Sequence, residues 1–217
     1  MKLFMKASLS VLLLIATATV FGYFFWYRPK FNHDIKHVVS TKTIDVNASV
    51  MLRLKQKAAS IKVFNQPGDY NSEYCFLIDM KIASGKKRFF VYNLEKDSVE
   101  LSGLVAHGSG SDKGTGDLYF SNEPNSNCTS LGKYKVGNSY NGKFGLAFKL
   151  YGLDKTNSKV FERFVVLHAH SCVADEEVDP LPICESWGCP TVSPTFLTAL
   201  KIYIDKANAP ILLWIYY

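Results

Sequence analysis

The spacing of hydrophobic residues changes along the chain, and each spacing predicts a different element. Residues 7–27 form a run without a charged side chain. At about 1.5 Å per residue, such a run is long enough for a helix that crosses the core of a bilayer. Residues 45–64 place valines, a leucine and an isoleucine near helical intervals, which predicts one amphipathic helix. Residues 75–82 then change to a period of two, which predicts a β-strand.

Further strands follow this first one. The turn sequence ASGKK separates it from residues 88–94, so the two segments are predicted to form a hairpin. The other segments with strand character are residues 98–108, 143–153, 163–170 and 210–217, and residues 194–206 are predicted to form a late helix. The chain is therefore predicted to be mainly β with a few helices, an α+β domain.

The N-terminal segment predicts an exported protein. Lys2 and Lys6 precede the uncharged run, and aromatic residues end it, as in helices anchored at a membrane interface. We interpret residues 1–30 as an uncleaved signal anchor with one transmembrane helix, residues 31–44 as a linker and residues 45–217 as the functional domain. That domain is then expected to be membrane-anchored, in the periplasm or outside the cell. A cleaved signal peptide, which would release a secreted domain, is the alternative.

Composition and charge narrow the class of protein. Of the 217 residues, 47% are hydrophobic and 14% are aromatic, which is enough for a packed core and excludes a disordered chain. The net charge of +6 is spread along the sequence, so it is compatible with an anionic polymer or a membrane surface as partner. No nucleic-acid-binding motif accompanies this charge, and we predict no nucleic acid partner.

The candidate chemistry lies in the stretch ESWGCPTVSP, residues 185–194. Cys189 stands between a glycine and a proline, in a turn suited to a nucleophile presented beside backbone N–H groups. His168 ends a predicted strand 21 residues earlier. Its imidazole can hold a thiolate by lowering the thiol pKa from about 8.5 towards 7. Gly188 lets the backbone N–H groups near Cys189 face a developing oxyanion. A disulfide-bonded cysteine and a structural histidine are the alternative.

Several motifs together resemble the L,D-transpeptidase (YkuD-type) family, most closely its murein L,D-transpeptidase catalytic-domain branch. VVLHA (residues 165–169) and SWGCP (residues 186–190) are similar to the family's histidine and cysteine motifs. VAHGSGS, SLGKY and GLDKTN precede them in the same order as in that branch. The resemblance covers about residues 74–217. It implies an L,D-transpeptidase-like β-sandwich and a transferase that acts on peptidoglycan stem peptides of the cell wall through a thioester.

The resemblance also implies a role for each candidate residue. Cys189 is expected to be the acylating nucleophile, His168 its general base, and Gly188 an oxyanion donor together with Cys189. The residues expected to bind substrate are His107, Ser186, Trp187 and His170. With water in place of the acceptor amine, the same site is an L,D-carboxypeptidase, and loss of chemistry would leave an inactive peptidoglycan-binding module. A papain-like peptidase is disfavoured because its cysteine precedes its histidine in the chain.

The other cysteines and one acidic residue bear on the details of the site. Cysteines and histidines cluster near the motif but lack the close C-x2-C pairs of structural zinc sites, so neither a metal nor a cofactor is predicted. Cys172 and Cys184 flank the loop between base and nucleophile, and a disulfide there would pin one wall of the cleft. Cys75 and Cys128 are then left, paired or free. An arginine commonly flanks the family's cysteine motif, whereas Glu185 precedes the motif here and Pro190 follows the cysteine, which bears on substrate specificity.

Overall fold

The computed structural model describes residues 17–23, residue 25 and residues 46–217. The chain divides into two compact units, Met1–Lys42 and Thr43–Tyr217. All the candidate site residues belong to the second unit.

The first unit is described only in part. Residues 17–22 are α-helical and exposed. Within the described residues, no helix has both the length and the apolar character needed to span a membrane. Most of the predicted anchor (residues 1–30) and all of the predicted linker (residues 31–44) lie outside the described residues, so both stay predictions.

Both predicted helices of the second unit are confirmed, and each begins at a capping side chain. Helix α1 runs over Ala48–Phe64, and the side-chain oxygen of Asn47 accepts the N–H of Ser49 at 2.9 Å. Helix α2 runs over Pro194–Lys206, and the Ser193 hydroxyl accepts a first-turn N–H at 3.1 Å. Each cap satisfies one donor that the first turn leaves free. The buried residues of α1 are Leu54, Ala58 and Ile61. Their spacing of four and three places them on one stripe of the helix.

Eight strands form one hydrogen-bonded sheet. They are β1 (Tyr74–Asp79), β2 (Phe89–Asn93), β3 (Ser98–Gly103), β4 (Gly132–Gly142), β5 (Gly145–Gly152), β6 (Val166–Ala169), β7 (Thr191–Val192) and β8 (Leu212–Tyr216). Across the sheet the order is β3-β2-β1-β8-β4-β5-β6-β7. The β1–β8 and β6–β7 pairs are parallel and the others are antiparallel. The prediction of a mainly β domain with few helices is confirmed, and so is the β1–β2 hairpin.

The segment that leaves β3 joins the two ends of this sheet. Ala106 forms a bridge to Thr191 in β7, with a 2.8 Å hydrogen bond from its N–H to the Thr191 carbonyl. Because β3 and β7 are the two ends of the strand order, the sheet closes on itself around the main core. The resemblance implied an L,D-transpeptidase-like β-sandwich. The strands that build this domain are hydrogen-bonded into one continuous sheet whose ends meet.

Both faces of β1 are buried. Phe76 and Ile78 belong to the main core, into which α2 also packs. Cys75 and Leu77 belong to a second cluster, which α1 covers on the other side of the sheet. Successive side chains of a strand point to opposite faces, so a strand covered on both sides is apolar at nearly every position. The alternation read from the sequence therefore marks the strand correctly but understates its burial.

The longest strand, β4, is absent from the sequence prediction. Its first half alternates, with Tyr134 and Val136 in the main core and half-buried lysines between them. Residues 138–141 are exposed and contain asparagine and serine, which is typical of a loop. Pairing with β8 over residues 132–135 and with β5 along most of the strand makes β4 a strand, and no local pattern reports such pairing.

Candidate active site

Two of the sequence motifs meet at the cysteine turn. Residues 105–111 follow β3, and residues 185–190 precede β7. Ser186 N–H donates to the His107 carbonyl, and the Ser186 carbonyl accepts the N–H of Ser109, both at 2.8 Å. This pair of hydrogen bonds fixes the start of the cysteine turn to the histidine-containing segment. Two stretches that are distant in sequence therefore form one site.

The glycines of that segment let a third segment approach, the loop that leads to β4. Gly108 N–H donates to Thr129 Oγ1 at 2.9 Å, and Gly110 N–H donates to the Asn127 carbonyl at 3.1 Å. A Cβ on Gly108 would lie 2.1 Å from the Asn127 carbonyl oxygen, and one on Gly110 would lie 2.0 Å from that of Ser126. Any side chain at either position would clash with backbone. Close packing of backbone on backbone therefore accounts for both glycines.

The side chain of Ser186 holds the turn that presents Cys189. Gly188 N–H donates to Ser186 Oγ at 3.1 Å, and the Ser186 hydroxyl donates to the Cys189 carbonyl at 2.7 Å. Gly188 has a φ of +109°, a conformation that L side chains rarely adopt. Within the described residues, no acceptor contacts the Cys189 N–H, whereas the Gly188 N–H is already paired. Of the two oxyanion donors that the sequence predicted, the N–H of Cys189 is the one left free for that role.

Cys189 is half-buried, and its sulfur faces the backbone that enters β6. Its Sγ accepts the Val166 N–H at 3.4 Å, and the thiol points to the Phe164 carbonyl at 3.8 Å. Burial raises the pKa of the Cys189 thiol, whereas the Val166 N–H and then the charge of Arg163 act in the opposite direction. In this resting arrangement burial outweighs the contacts that favour the thiolate, and His168 is not among those contacts.

His168 has a neutral imidazole that is held by a threonine hydroxyl. It is buried on β6 and pairs with Thr191 of β7. Its Nδ1 lies 3.1 Å from the Ala169 carbonyl, which only accepts, so Nδ1 carries the proton. Nε2 then accepts the Thr191 hydroxyl at 3.0 Å. Burial is the main cause that lowers the pKa of His168, and nearby His170 adds to it. The sequence analysis missed Thr191, although a hydroxyl two residues after Cys189 was a signal that could have indicated it.

Cys189 and His168 line one cleft of about 390 Å³. The other lining residues are Lys143, Phe144, His170, Cys172, Cys184, Glu185, Ser186, Trp187 and Thr191. Three of the four predicted substrate-binding residues are among them, and His107 is not. Trp187 is 77% exposed, which leaves its ring available to a substrate group. Phe144 stacks on the His168 ring with centroids 5.3 Å apart. Within the described residues, no hydrogen bond joins Cys189 to His168. The two side chains therefore line the same cleft without a hydrogen bond between them.

A disulfide forms part of the cleft wall. Cys172 and Cys184 are bonded, which confirms the bridge that the sequence suggested. Cys75 and Cys128 are free and buried. In the chain-entropy model, closing a loop of about a dozen residues stabilises a fold by roughly 3 kcal/mol. The bridge therefore restricts the loop between base and nucleophile.

His107 lies in a line of polar contacts that runs from Arg88 to Glu185. Arg88 Nη2 donates to His107 Nδ1 at 2.9 Å, so the ring proton resides on Nε2. Nε2 is buried and lies 3.6 Å from Glu185 Oε1, which is too long for a hydrogen bond. Burial, followed by the charge of Arg88, lowers the pKa of His107 to about 4. At neutral pH this histidine is therefore an uncharged donor.

The same histidine belongs to a group of side chains with metal-like spacing. Atoms of His107, Asp112 and Glu185 lie within 4.8 Å of one another. A metal needs the lone pair of Nε2, but Arg88 occupies Nδ1 as a donor and leaves the proton on Nε2. Histidines that bind metals instead donate their other ring N–H to an acceptor. The donor set does not fit a metal ion.

Comparison with known proteins gives one family match. The family model for the L,D-transpeptidase catalytic domain matches residues 46–216. The match covers most of the second unit, including every candidate site residue. No curated protein matches the chain.

Three solved structures resemble the chain at low identity. Bd1075 of Bdellovibrio bacteriovorus is 18% identical over 67% of this chain and 48% of that one, with a TM-score of 0.41. The helical cell shape determining protein Pgp2 from Campylobacter jejuni is 14% identical over 78% of this chain and 56% of that one, with a TM-score of 0.44. An L,D-transpeptidase from Xylanimonas cellulosilytica is 16% identical over 74% and 69%, with a TM-score of 0.36. The chain thus spans about half the length of the first two.

Proposed function

The chain belongs to the L,D-transpeptidase catalytic-domain family, and on that premise we propose that it is a cysteine-dependent L,D-transpeptidase acting on peptidoglycan stem peptides. Cys189 is the nucleophile and His168 is the general base. The observation that carries the proposal is that a half-buried thiol and a neutral imidazole line the same cleft. The proposed reaction uses neither a metal nor an organic cofactor.

In the first half-reaction, Cys189 attacks the carbonyl of the L-configured centre that precedes the terminal D-amino acid. The thiol proton passes to His168 Nε2 as the S–C bond forms. For this transfer the thiol turns away from the Phe164 carbonyl, and the Thr191 hydroxyl turns away from Nε2. A second acceptor is within its reach, because Thr191 Oγ1 lies 3.3 Å from the Cys189 carbonyl. The free N–H of Cys189 donates to the developing oxyanion.

The first half-reaction ends when the C–N bond breaks: His168 returns the proton to the leaving amine, the D-amino acid departs, and the thioester remains. The second half-reaction resolves this thioester. The amine of a second stem peptide then attacks the thioester carbonyl and gives its proton to His168. Breaking the C–S bond restores the Cys189 thiol and leaves a new amide cross-link. The same steps with water as acceptor make the site an L,D-carboxypeptidase.

We propose that this domain works outside the cytoplasmic membrane, held there by the predicted N-terminal helix. The Cys172–Cys184 disulfide supports an exported location, because disulfides persist in oxidising compartments. The proposed substrate, peptidoglycan, lies in the same compartment.

Incubation of the chain with tetrapeptide muropeptides, followed by mass spectrometry of the products, tests the proposal. A transpeptidase forms cross-linked dimers and releases the terminal D-amino acid. A carboxypeptidase forms tripeptides without dimers. Cys189→Ala serves as the matched control. A folded wild-type chain that binds muropeptides but releases no D-amino acid would contradict the proposal and favour an inactive peptidoglycan-binding module.

A further inference from the structure

Arg163 lies beside the cysteine turn and has no carboxylate partner in the part of the chain that the structure describes. It precedes β6 by three residues and is half-buried. None of the ion pairs among the described residues includes Arg163. Glu123, on the facing loop, is paired with Lys159. A partly buried guanidinium without a counter-ion favours the charged form of any nearby group that ionises to an anion.

Neutral oxygens of the loop that leads to β4 hold this guanidinium. Nη1 of Arg163 donates to the Ser121 carbonyl at 2.9 Å and to Ser130 Oγ, and Nη2 donates to the Cys128 carbonyl at 2.5 Å. Two carbonyls and a hydroxyl orient the guanidinium without neutralising it. The full positive charge is therefore fixed in place.

The cysteine turn rests on this arrangement. A Cβ on Gly188 would lie 2.8 Å from the Cys128 carbonyl oxygen and 3.1 Å from Arg163 Nη2, so the Gly188 backbone lies against both groups. Cys189 follows directly, and its Sγ contacts the backbone just after Arg163. The guanidinium therefore lies against the Gly188 backbone, one residue before Cys189. The chain segment that follows Arg163 contacts the Cys189 sulfur.

We propose that Arg163 is a positioning residue that keeps the Cys189 turn in place and supplies the positive charge that favours the thiolate. The inference rests on the proposed role of Cys189 as nucleophile. His168 is neutral at rest and gives the thiol no positive charge. Of the two influences that oppose burial at Cys189, the Val166 N–H and the guanidinium, only the guanidinium is charged.

The pH dependence of Cys189 alkylation by iodoacetamide in the full-length chain tests this proposal. Arg163→Gln removes the charge, and an opposite charge nearby shifts a pKa by roughly one unit, so the rate at pH 7 should fall about three- to tenfold. The rates should converge at pH values above the thiol pKa. Arg163→Lys keeps a charge and should retain most of the wild-type rate at pH 7. Lys159→Gln is the matched control, since it removes an already paired cation from the same segment and should leave the profile unchanged.

Two further measurements accompany the alkylation rates. Peptide mass spectrometry identifies the alkylated cysteine, and labelling of the buried Cys75 and Cys128 reveals a variant that has lost its fold. In the wild type, added salt should slow alkylation at pH 7, because screening weakens the field of the guanidinium. This second reading does not depend on the folding of any variant.

Two results would overturn the role of Arg163: overlapping profiles for Arg163→Gln and wild type, or equal shifts in the Gln and Lys variants. Alkylation requires no stem peptide, so its outcome is separate from that of the proposed function. A chain that alkylates as expected but forms no muropeptide product contradicts the transpeptidase assignment alone.

Discussion

A substitution at Thr191 tests whether the Thr191 hydroxyl sets the pKa of His168, the proposed general base. The Thr191 hydroxyl donates to His168 Nε2 at 3.0 Å, and Thr191 is only 3% exposed. Thr191→Val replaces this hydroxyl by a methyl group and keeps the β-branched shape that suits the strand. The substitution therefore removes one donor while the backbone and the sheet stay as they are.

The magnitude follows from the single hydrogen bond that is lost. A bond donated to neutral Nε2 favours the uncharged ring, so its loss raises the pKa of His168. A net contribution of about 1 kcal/mol corresponds to roughly 0.7 pKa unit. The base is then protonated at higher pH, and the acid limb of the pH–rate profile should move up by that amount. Leaving buried Nε2 without a partner should also cost about 1–2 kcal/mol of stability, which lowers Tm by about 3–6 °C.

The assay is kcat/KM for a tetrapeptide donor, measured across the acid limb, together with Tm from calorimetry. Thr191→Ser keeps the hydroxyl and is the matched control, so its acid limb should stay close to that of the wild type. An acid limb that does not move in Thr191→Val would refute the reasoning. An equal movement in Thr191→Ser would refute it as well, because the hydroxyl would then not be the cause.

Three other outcomes are expected. His168→Ala should lower the rate at least about a hundredfold, as loss of a general base does, and His170→Ala should cost much less; the reverse order, measured as D-amino acid release, would exchange the two assignments. Gly188→Ala should destabilise the fold by about 1–3 kcal/mol in denaturant unfolding, because a Cβ there meets a carbonyl oxygen at 2.8 Å in addition to the φ of +109°. Gly114→Ala, with a φ of +70° and nothing within 4 Å, carries the conformational strain without the clash and should cost less. Because the pKa of His107 is depressed from 6.5 to about 4 in the folded chain, stability should fall as pH drops through that window, by about 3 kcal/mol in total, and His107→Gln should flatten the fall in a pH series of unfolding curves.

Much of the fold could be predicted because its signals are local. Both helices were predicted from the sequence, α1 from the helical spacing of its apolar residues; the structure adds the caps at Asn47 and Ser193. The turn between two apolar runs marked the β1–β2 hairpin. Strand β4 was not predicted, because pairing with β5 and β8, and not the pattern of its own side chains, makes it a strand. Closure of the sheet through Ala106 and Thr191 is likewise a long-range contact without a local pattern.

The candidate site was likewise predicted only in part from the sequence. Short motifs pointed to Cys189 and His168, and both line the cleft. Thr191 stands two residues after Cys189, but its contact with His168 depends on the parallel register of β6 with β7. Arg163 contacts a distant loop, and no spacing in the sequence indicates that contact. The raised pKa of the Cys189 thiol follows from burial, which a motif does not report.

Intact-mass analysis of the chain after a short incubation with tetrapeptide donor tests whether Cys189 carries the acyl group. We expect an adduct equal to the donor minus its terminal D-amino acid, mapped to Cys189 and removed by hydroxylamine as a thioester is. The adduct should be absent from Cys189→Ala, which keeps the cleft but lacks the sulfur. An adduct on any other residue, or D-amino acid release that continues in Cys189→Ala, would show that Cys189 is not the nucleophile.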